Sequence, residues 1–296
     1  MHTDVQEYLG SYVPDPKTGK LGFQEGCLVE AARKGYWVIL DELNLAPSEV
    51  LEALNRLLDD NREIHIVETQ KVVKAHPNFR IFATQNPTEG YGGRKELSEA
   101  FKNRFVMIKV GDVPVEQLQT ILEKKCNIPP TRSLPMVKVM SQLQIYRSKE
   151  SIFSGKNSTI TVRDLLKWAG RINQRSQEQD HVLMDRIALE GFLVLAERSR
   201  DRSDKLYIKE TIEKIFKVKL DLEAFYQDFF AQNLSSMFTE LPKEMNLPPI
   251  IMSHQFKRLA VLVYKCLANK EPVLLVGETG CGKTTLCQVL AHAVHK

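Results

Sequence analysis

The chain has 296 residues, 43% of them hydrophobic and 26% charged, and its 41 Lys and Arg against 37 Asp and Glu leave a formal net charge of +4. That length suits one large domain or two smaller ones with a substantial buried core, and the proportions exclude disordered, collagen-like and disulfide-scaffold classes. So small a charge argues against a role dominated by nucleic-acid electrostatics, and no apolar run approaches the roughly 18 residues of a membrane span.

Residues 1–25 carry turn signals, Pro14-Asp15-Pro16, Thr18-Gly19 and Gly22, and the opening Met1-His2-Thr3-Asp4 lacks the basic and apolar regions of a signal peptide. A short helix is predicted around Gly26 to Lys34. Tyr36-Trp37-Val38-Ile39-Leu40 is a continuous apolar run ending in Asp41-Glu42, the pattern of a parallel strand buried on both faces. Pro47 opens a helix whose Val50, Leu51, Leu54, Leu57 and Leu58 form one apolar stripe. Ile64, Ile66 and Val72-Val73 flank Glu68-Thr69-Gln70 as a hairpin would, and Phe79 to Thr84 reads as a second central strand. A loop with Gly90, Gly92 and Gly93, a short helix to about Asn103 and a strand from Phe105 to Val110 complete an α/β unit.

From about Val115 the pattern becomes helical, over 115–125, 134–147, 161–173, 180–196 and 204–218, with Thr161-Val162-Arg163-Asp164 as a capping-box start. Pro242, Pro248 and Pro249 mark 240–250 as a linker. Beyond Ser253 a stripe of Phe256, Leu259, Ala260, Val263 and Leu267 predicts a helix, and Pro272 to Val276 a strand. The predicted division is therefore 1–112, an α/β core; 113–240, a helical region; and 241–296, the start of a further α/β unit. The five cysteines, Cys27, Cys126, Cys266, Cys281 and Cys287, are odd in number with no ligand spacing, and read as reduced thiols.

Chemistry concentrates in a few places. Gly277-Glu278-Thr279-Gly280-Cys281-Gly282-Lys283-Thr284, followed by Thr285, is a full G-x-x-x-x-G-K-T between an apolar run and a helix. Its glycines let backbone N–H groups wrap a phosphate chain, Lys283 reaches the β and γ phosphates of ATP, and the Thr284 hydroxyl ligates Mg²⁺. Cys281 is expected to point away from that loop. Asp41-Glu42 fits an acidic pair that holds the metal through water and polarises the attacking water, and equally fits a helix cap or a solvated turn. Asn86 suits orientation of a nucleophilic water or an Asn-Pro turn with Pro87. Arg104 stands where a guanidinium reaches a neighbour's γ-phosphate, although a surface salt bridge explains it as well. Arg163 opposes its helix dipole, which points to an anionic partner or to the adjacent Asp164.

A phosphate loop ordinarily precedes its acidic strand, yet here Asp41 lies far upstream of Gly277. Two consecutive modules explain that order better than one. At this point the chain resembles the AAA+ superfamily, in its dynein-related branch concerned with large ribosomal subunit assembly. The resemblance rests on the run Gly35 to Pro47, on Leu51 to Glu63, on Phe82-Ala83-Thr84-Gln85-Asn86-Pro87 with Tyr91-Gly92-Gly93-Arg94, and on Ala100 to Phe105. Thr161 to Leu165 and the phosphate loop add to it. It implies an α/β P-loop NTPase sheet, incomplete here, then an all-helical lid and the first βα unit of a second module. It implies Asp41 and Glu42 as Walker B, Asn86 as sensor 1, Arg104 as arginine finger, Arg163 as sensor 2, and Gly277 to Thr284 as the next module's Walker A. Thr88-Glu89 depart from the family's usual proline and glycine. The implied cofactors are ATP and Mg²⁺. The implied partners are neighbouring modules of the same chain and nuclear pre-60S particles with their assembly factors, with no nucleic-acid motif and no membrane.

The competing class is a nucleotide-binding ring scaffold without turnover, against which the intact Asp41, Glu42 and Asn86 argue; a single-module chaperone would need a phosphate loop before residue 30. The resemblance places a phosphate-loop strand between strands 79–84 and 105–110. The further expectation is therefore that 272–295 docks into that vacant slot and brings Lys283 and Thr284 opposite Asp41, Glu42 and Asn86.

Overall fold

The computed structural model describes residues 5–14, 19–86, 96–111, 113–149, 160–173, 180–199, 201–239 and 250–294. The chain divides into two units, Met1–Gly111 and Asp112–Lys296. The glycine loop with Tyr91 to Arg94, Thr88-Glu89 and the proline-rich 240–249 lie outside the described residues.

In the first unit, α1 (Val5–Leu9) leads into a hairpin of β1 (Gly10–Pro14) and β2 (Leu21–Glu25). Tyr12 faces Phe23 across it, their rings edge to face at 5.5 Å. The turn residues are legible in the sequence, but the hairpin is not, because a glycine in each strand interrupts the apolar alternation. α2 (Cys27–Lys34) buries Leu28, Val29, Ala31 and Ala32. β3 (Trp37–Leu40) and β6 (Arg80–Ala83) run parallel, with Leu40 opposite Ala83. α3 (Ser48–Leu58), entered from Pro47, buries Val50, Leu54 and Leu57. The predicted hairpin forms from β4 (Glu63–Ile66) and β5 (Lys71–Lys74), whose Ile64, Ile66 and Val73 join the same core. α4 (Glu99–Lys102) starts at Ser98, whose hydroxyl accepts from the Phe101 N–H.

Two expectations fail here for one reason. Residues 105–110 form no strand, with Val106 92% and Ile108 82% exposed, and β3 is not covered on both faces, since Trp37 is 71% exposed beside Phe82. A strand exists only where a neighbour takes its N–H and C=O groups, and the β3–β6 sheet has two strands among the described residues.

The second unit is helical: α5 (Val115–Cys126), α6 (Pro130–Lys149), α7 (Val162–Asn173), α8 (Asp180–Leu195), α9 (Arg202–Phe216), α10 (Leu222–Asn233), α11 (Ser235–Thr239), α12 (His254–Ala268) and α13 (Lys283–Val294). α10 and α11 escape the sequence because Phe225, Tyr226, Phe229 and Phe230 make α10 apolar on more than one face. The Thr161 start is seen, with Asp164 accepting from both the Thr161 N–H at 2.8 Å and its hydroxyl at 2.9 Å. Trp168 is the largest fully buried side chain, and its indole N–H donates to the Ile187 carbonyl at 2.8 Å.

Residues 250–294 pack into this unit: Phe256, Ala260, Val263, Leu286, Val289 and Leu290 share one core with the lid helices. Among the described residues 272–276 form no strand and join no sheet, so the strand pairing that the expected docking requires is not formed. The core that buries α13 is supplied from within the second unit.

Two charge clusters tie α12 to the lid. Glu190 accepts from Lys265 at 2.6 Å and Arg171 at 3.3 Å, while Arg171 grips Glu271 with two bonds of 3.0 and 2.6 Å. Burial opposes the Arg171 charge, but the bonds and field of Glu271, with the field of Glu190, outweigh it and raise its pKa above the ordinary arginine value. Glu197 accepts from Lys205 at 2.9 Å and the Tyr226 hydroxyl at 2.7 Å, and pairs with Arg258. Burial pushes the Tyr226 phenol up and keeps it a neutral donor. Removing one member of a buried pair costs about 3–5 kcal/mol, because the other charge is left unpaired.

Candidate functional site

Parallel strands leave their carboxyl ends on one edge, where an open α/β sheet collects ligands. At that edge the chain leaving β3 carries Asp41 and Glu42, and the chain leaving β6 carries Thr84 and Asn86. The Asn86 side-chain amide donates to Glu42 Oε1 at 2.9 Å, so the structure brings together the acidic pair and the asparagine singled out in the sequence. The crossing is stitched by backbone bonds, Thr84 N–H to Leu40 O and Leu43 N–H to Thr84 O, both 2.9 Å. Glu42 sits in the left-handed region at φ 53°, which costs a non-glycine residue about 1–3 kcal/mol and is held by these surroundings.

Two residues here were not legible as site residues. The Thr84 hydroxyl donates to Asp41 Oδ1 at 2.5 Å and accepts the Glu42 backbone N–H at 3.0 Å. Asn44, buried in the 3-10 turn Leu43–Leu45, donates to the Asn86 carbonyl at 3.1 Å. Their spacing, two residues from Asn86 and from Glu42, is the only signal the sequence offers for either.

Arg104 is held by Asp59 at 2.5 Å and by Asn55 at 3.0 Å, the salt bridge the sequence allowed. Its guanidinium is thereby fixed in direction while remaining partly open to solvent. Arg163 lies exposed in the first turn of α7, and Arg198, at 2.6 Å, is the partner of Asp164.

The phosphate loop belongs to the second unit. Gly280 and Gly282 have φ of 84° and 77°, which a side-chain-bearing residue reaches only with strain, and a Cβ at Gly282 would press on the Phe256 ring. Lys283 Nζ donates to the Gly277 and Glu278 carbonyls at 2.9 and 2.6 Å. It forms no ion pair among the described residues, so its charge is turned into the loop and met by two carbonyl dipoles and the Cys281 sulfur. Cys281 corrects the expectation for it: the thiol points into the loop, donating to Glu278 O at 2.9 Å and lying 3.3 Å from Lys283 Nζ. Gly277 leaves it that room. Thr284 and Thr285 open α13.

These groups fit Mg-ATP. The loop offers left-handed glycines, a helix start and an uncompensated ammonium, the features that receive phosphates. Asp41 and Glu42 offer two carboxylates, which suits a magnesium ion that keeps most of its waters. Asp41 and Thr284, the two expected metal-side residues, belong to different units.

Comparison with known proteins assigns the parts. Residues 2–105 match the AAA domain of the dynein-related subfamily, and 117–219 match the midasin AAA lid domain. The chain is thus an AAA+ domain followed by its lid, and belongs to the dynein-related AAA+ proteins. Within them its likeness is to midasin: it is 53% identical to midasin of Dictyostelium discoideum over 97% of this chain, and 38% identical to midasin of Giardia intestinalis over 98%. It spans only 5% and 6% of the lengths of those relatives. An uncharacterized protein of Staphylococcus epidermidis is 35% identical over 36% of the chain and 40% of its own length. Among the described residues no helix is long and apolar enough to cross a membrane.

Proposed function

We propose that this chain is a segment of an AAA+ ATPase ring that couples ATP binding and hydrolysis to the remodelling of nuclear pre-60S ribosomal particles. The observation that carries the ATPase reading is the contact of Asn86 with Glu42 beside Asp41, at the carboxyl ends of paired parallel strands. In this reading Glu42 takes a proton from the attacking water, Asn86 orients both, and Asp41 holds the metal's water shell. Bound Mg²⁺ would neutralise charge on the phosphates. Arg104, already aimed by Asp59 and Asn55, serves the adjoining module's nucleotide, and Arg163 reports on the lid side. Lys283, Thr284 and the loop glycines receive the nucleotide of the following module. Ribosomal particles, assembly factors and nuclear location are carried over from what the sequence's family resemblance implies, and are part of this proposal.

The loop is tested on the chain itself. Mg-ATP titrated calorimetrically into it should give measurable binding that Lys283→Ala removes, since no other described side chain places a positive charge in the loop; unchanged affinity would put the nucleotide elsewhere. Turnover by the chain alone should stay at background, because the acidic pair and the phosphate loop serve different sites. Steady hydrolysis that Glu42→Gln abolishes would overturn that division.

A further inference from the structure

Four bonds cross between the ends of β3 and β6 at Thr84, and they are not equivalent. Two are backbone bonds that any residue at this position would make, to Leu40 and from Leu43. The other two belong to the hydroxyl alone: it donates to Asp41 Oδ1 at 2.5 Å and accepts the Glu42 N–H at 3.0 Å. A hydroxyl has one proton to give and lone pairs to receive, so both bonds form at once without competing. The β-branched side chain of threonine also narrows χ1, which holds the oxygen in place.

We infer that Thr84 is a positioning residue for the acidic pair, fixing the Asp41 carboxylate and the Glu42 backbone with one oxygen. Asp41 is held by one carboxylate oxygen, so the other would be available to a metal's water shell. Glu42 stands in a left-handed conformation that its side chain disfavours, and there its carboxylate meets Asn86. The bond from its N–H to Thr84 stabilises that conformation. Without the hydroxyl, Glu42 would relax toward ordinary φ and carry its carboxylate off Asn86, while Asp41 would sample other rotamers. The inference rests on the ATPase reading for its consequence, but its geometry stands independently of that reading.

Thr84→Val keeps the shape and the two backbone bonds and removes both hydroxyl bonds; Thr84→Ser keeps them. In the purified chain, hydrogen exchange of the Glu42 amide should be at least about tenfold faster in Thr84→Val and near wild type in Thr84→Ser, since a net hydrogen bond of about 1.4 kcal/mol is a factor of ten. In the full multi-module chain, the Mg²⁺ concentration for half-maximal ATP turnover should rise about 10–100-fold in Thr84→Val and be restored by Thr84→Ser, the usual size of the effect when a metal-side carboxylate loses its orienting partner. A merely structural role would lower the melting temperature without moving the Mg²⁺ dependence. Unchanged exchange in Thr84→Val, or equal losses in the Val and Ser variants, overturns the inference. If the nucleotide retained by Glu42→Gln is still dominated by ADP, the ATPase assignment of this pair fails instead, and the exchange measurement still decides on Thr84.

Discussion

Glu42→Gln in the full multi-module chain should leave ATP bound and unhydrolysed at this site, with a loss of turnover there of about 10²–10⁴-fold, the usual contribution of a positioned general base. The substitution is isosteric, and the glutamine carbonyl can still accept from the Asn86 amide that now meets Glu42 Oε1 at 2.9 Å. The Asn86 contact therefore survives while the carboxylate charge is lost. The measurement is the ATP to ADP ratio of nucleotide retained after rapid removal of the free pool, which reads one stalled site even where other modules turn over. A retained pool still dominated by ADP would show that Glu42 is not the base.

Gly191→Ala should destabilise the helical unit by about 1–3 kcal/mol, the reverse of the sign that helix propensity dictates. In a helix interior alanine is favoured over glycine by about 1 kcal/mol. At this position of α8, however, an added Cβ would stand 2.4 Å from the Trp168 ring. That ring cannot swing clear, because it is fully buried and its N–H is bonded to Ile187 one turn earlier on the same helix. Overpacking on that scale costs more than propensity returns. Trp168→Ala should cost about 3–5 kcal/mol. The double variant should cost less than the sum, because the methyl group introduced by Gly191→Ala then partly fills the vacated space. Urea unfolding followed by helical circular dichroism checks all three; a stabilising Gly191→Ala would mean that the ring and α8 do not pack as seen.

The elements legible in the sequence are those whose signal is local. α3 shows its apolar stripe, β4 and β5 their alternation about a polar turn, and α7 its Thr161–Asp164 start. The phosphate loop shows itself in residue types alone. What the sequence hides is pairing. Tyr36 to Leu40 and Phe105 to Val110 have similar composition, yet one meets β6 and the other meets no strand among the described residues, a difference that lies in distant chain and not in either run. The site divides the same way. Asp41, Glu42 and Asn86 are conspicuous by type and by their place after apolar runs, whereas Thr84 and Asn44 matter through side-chain hydrogen bonds that only the crossing of two strands creates. Cys281 points into the loop because Gly277 leaves it room, a side-chain direction no motif specifies.

The uncovered strips carry a consequence for how the chain behaves in bulk solution. Val106, Ile108 and Val110 are three exposed alternate residues, and Leu274 and Val276, together with Trp37, Ile39 and Phe82 on the open sheet face, expose further apolar surface. Against their attraction stands a mean-field repulsion from a net charge of only +4. Such a charge is screened within about 10 Å at 0.1 M salt, while apolar attraction is not screened at all. Added salt therefore tips the colloidal balance toward clustering, and excluded salts such as sulfate do so twice over, by screening the charge and by sharpening the cost of hydrating those side chains.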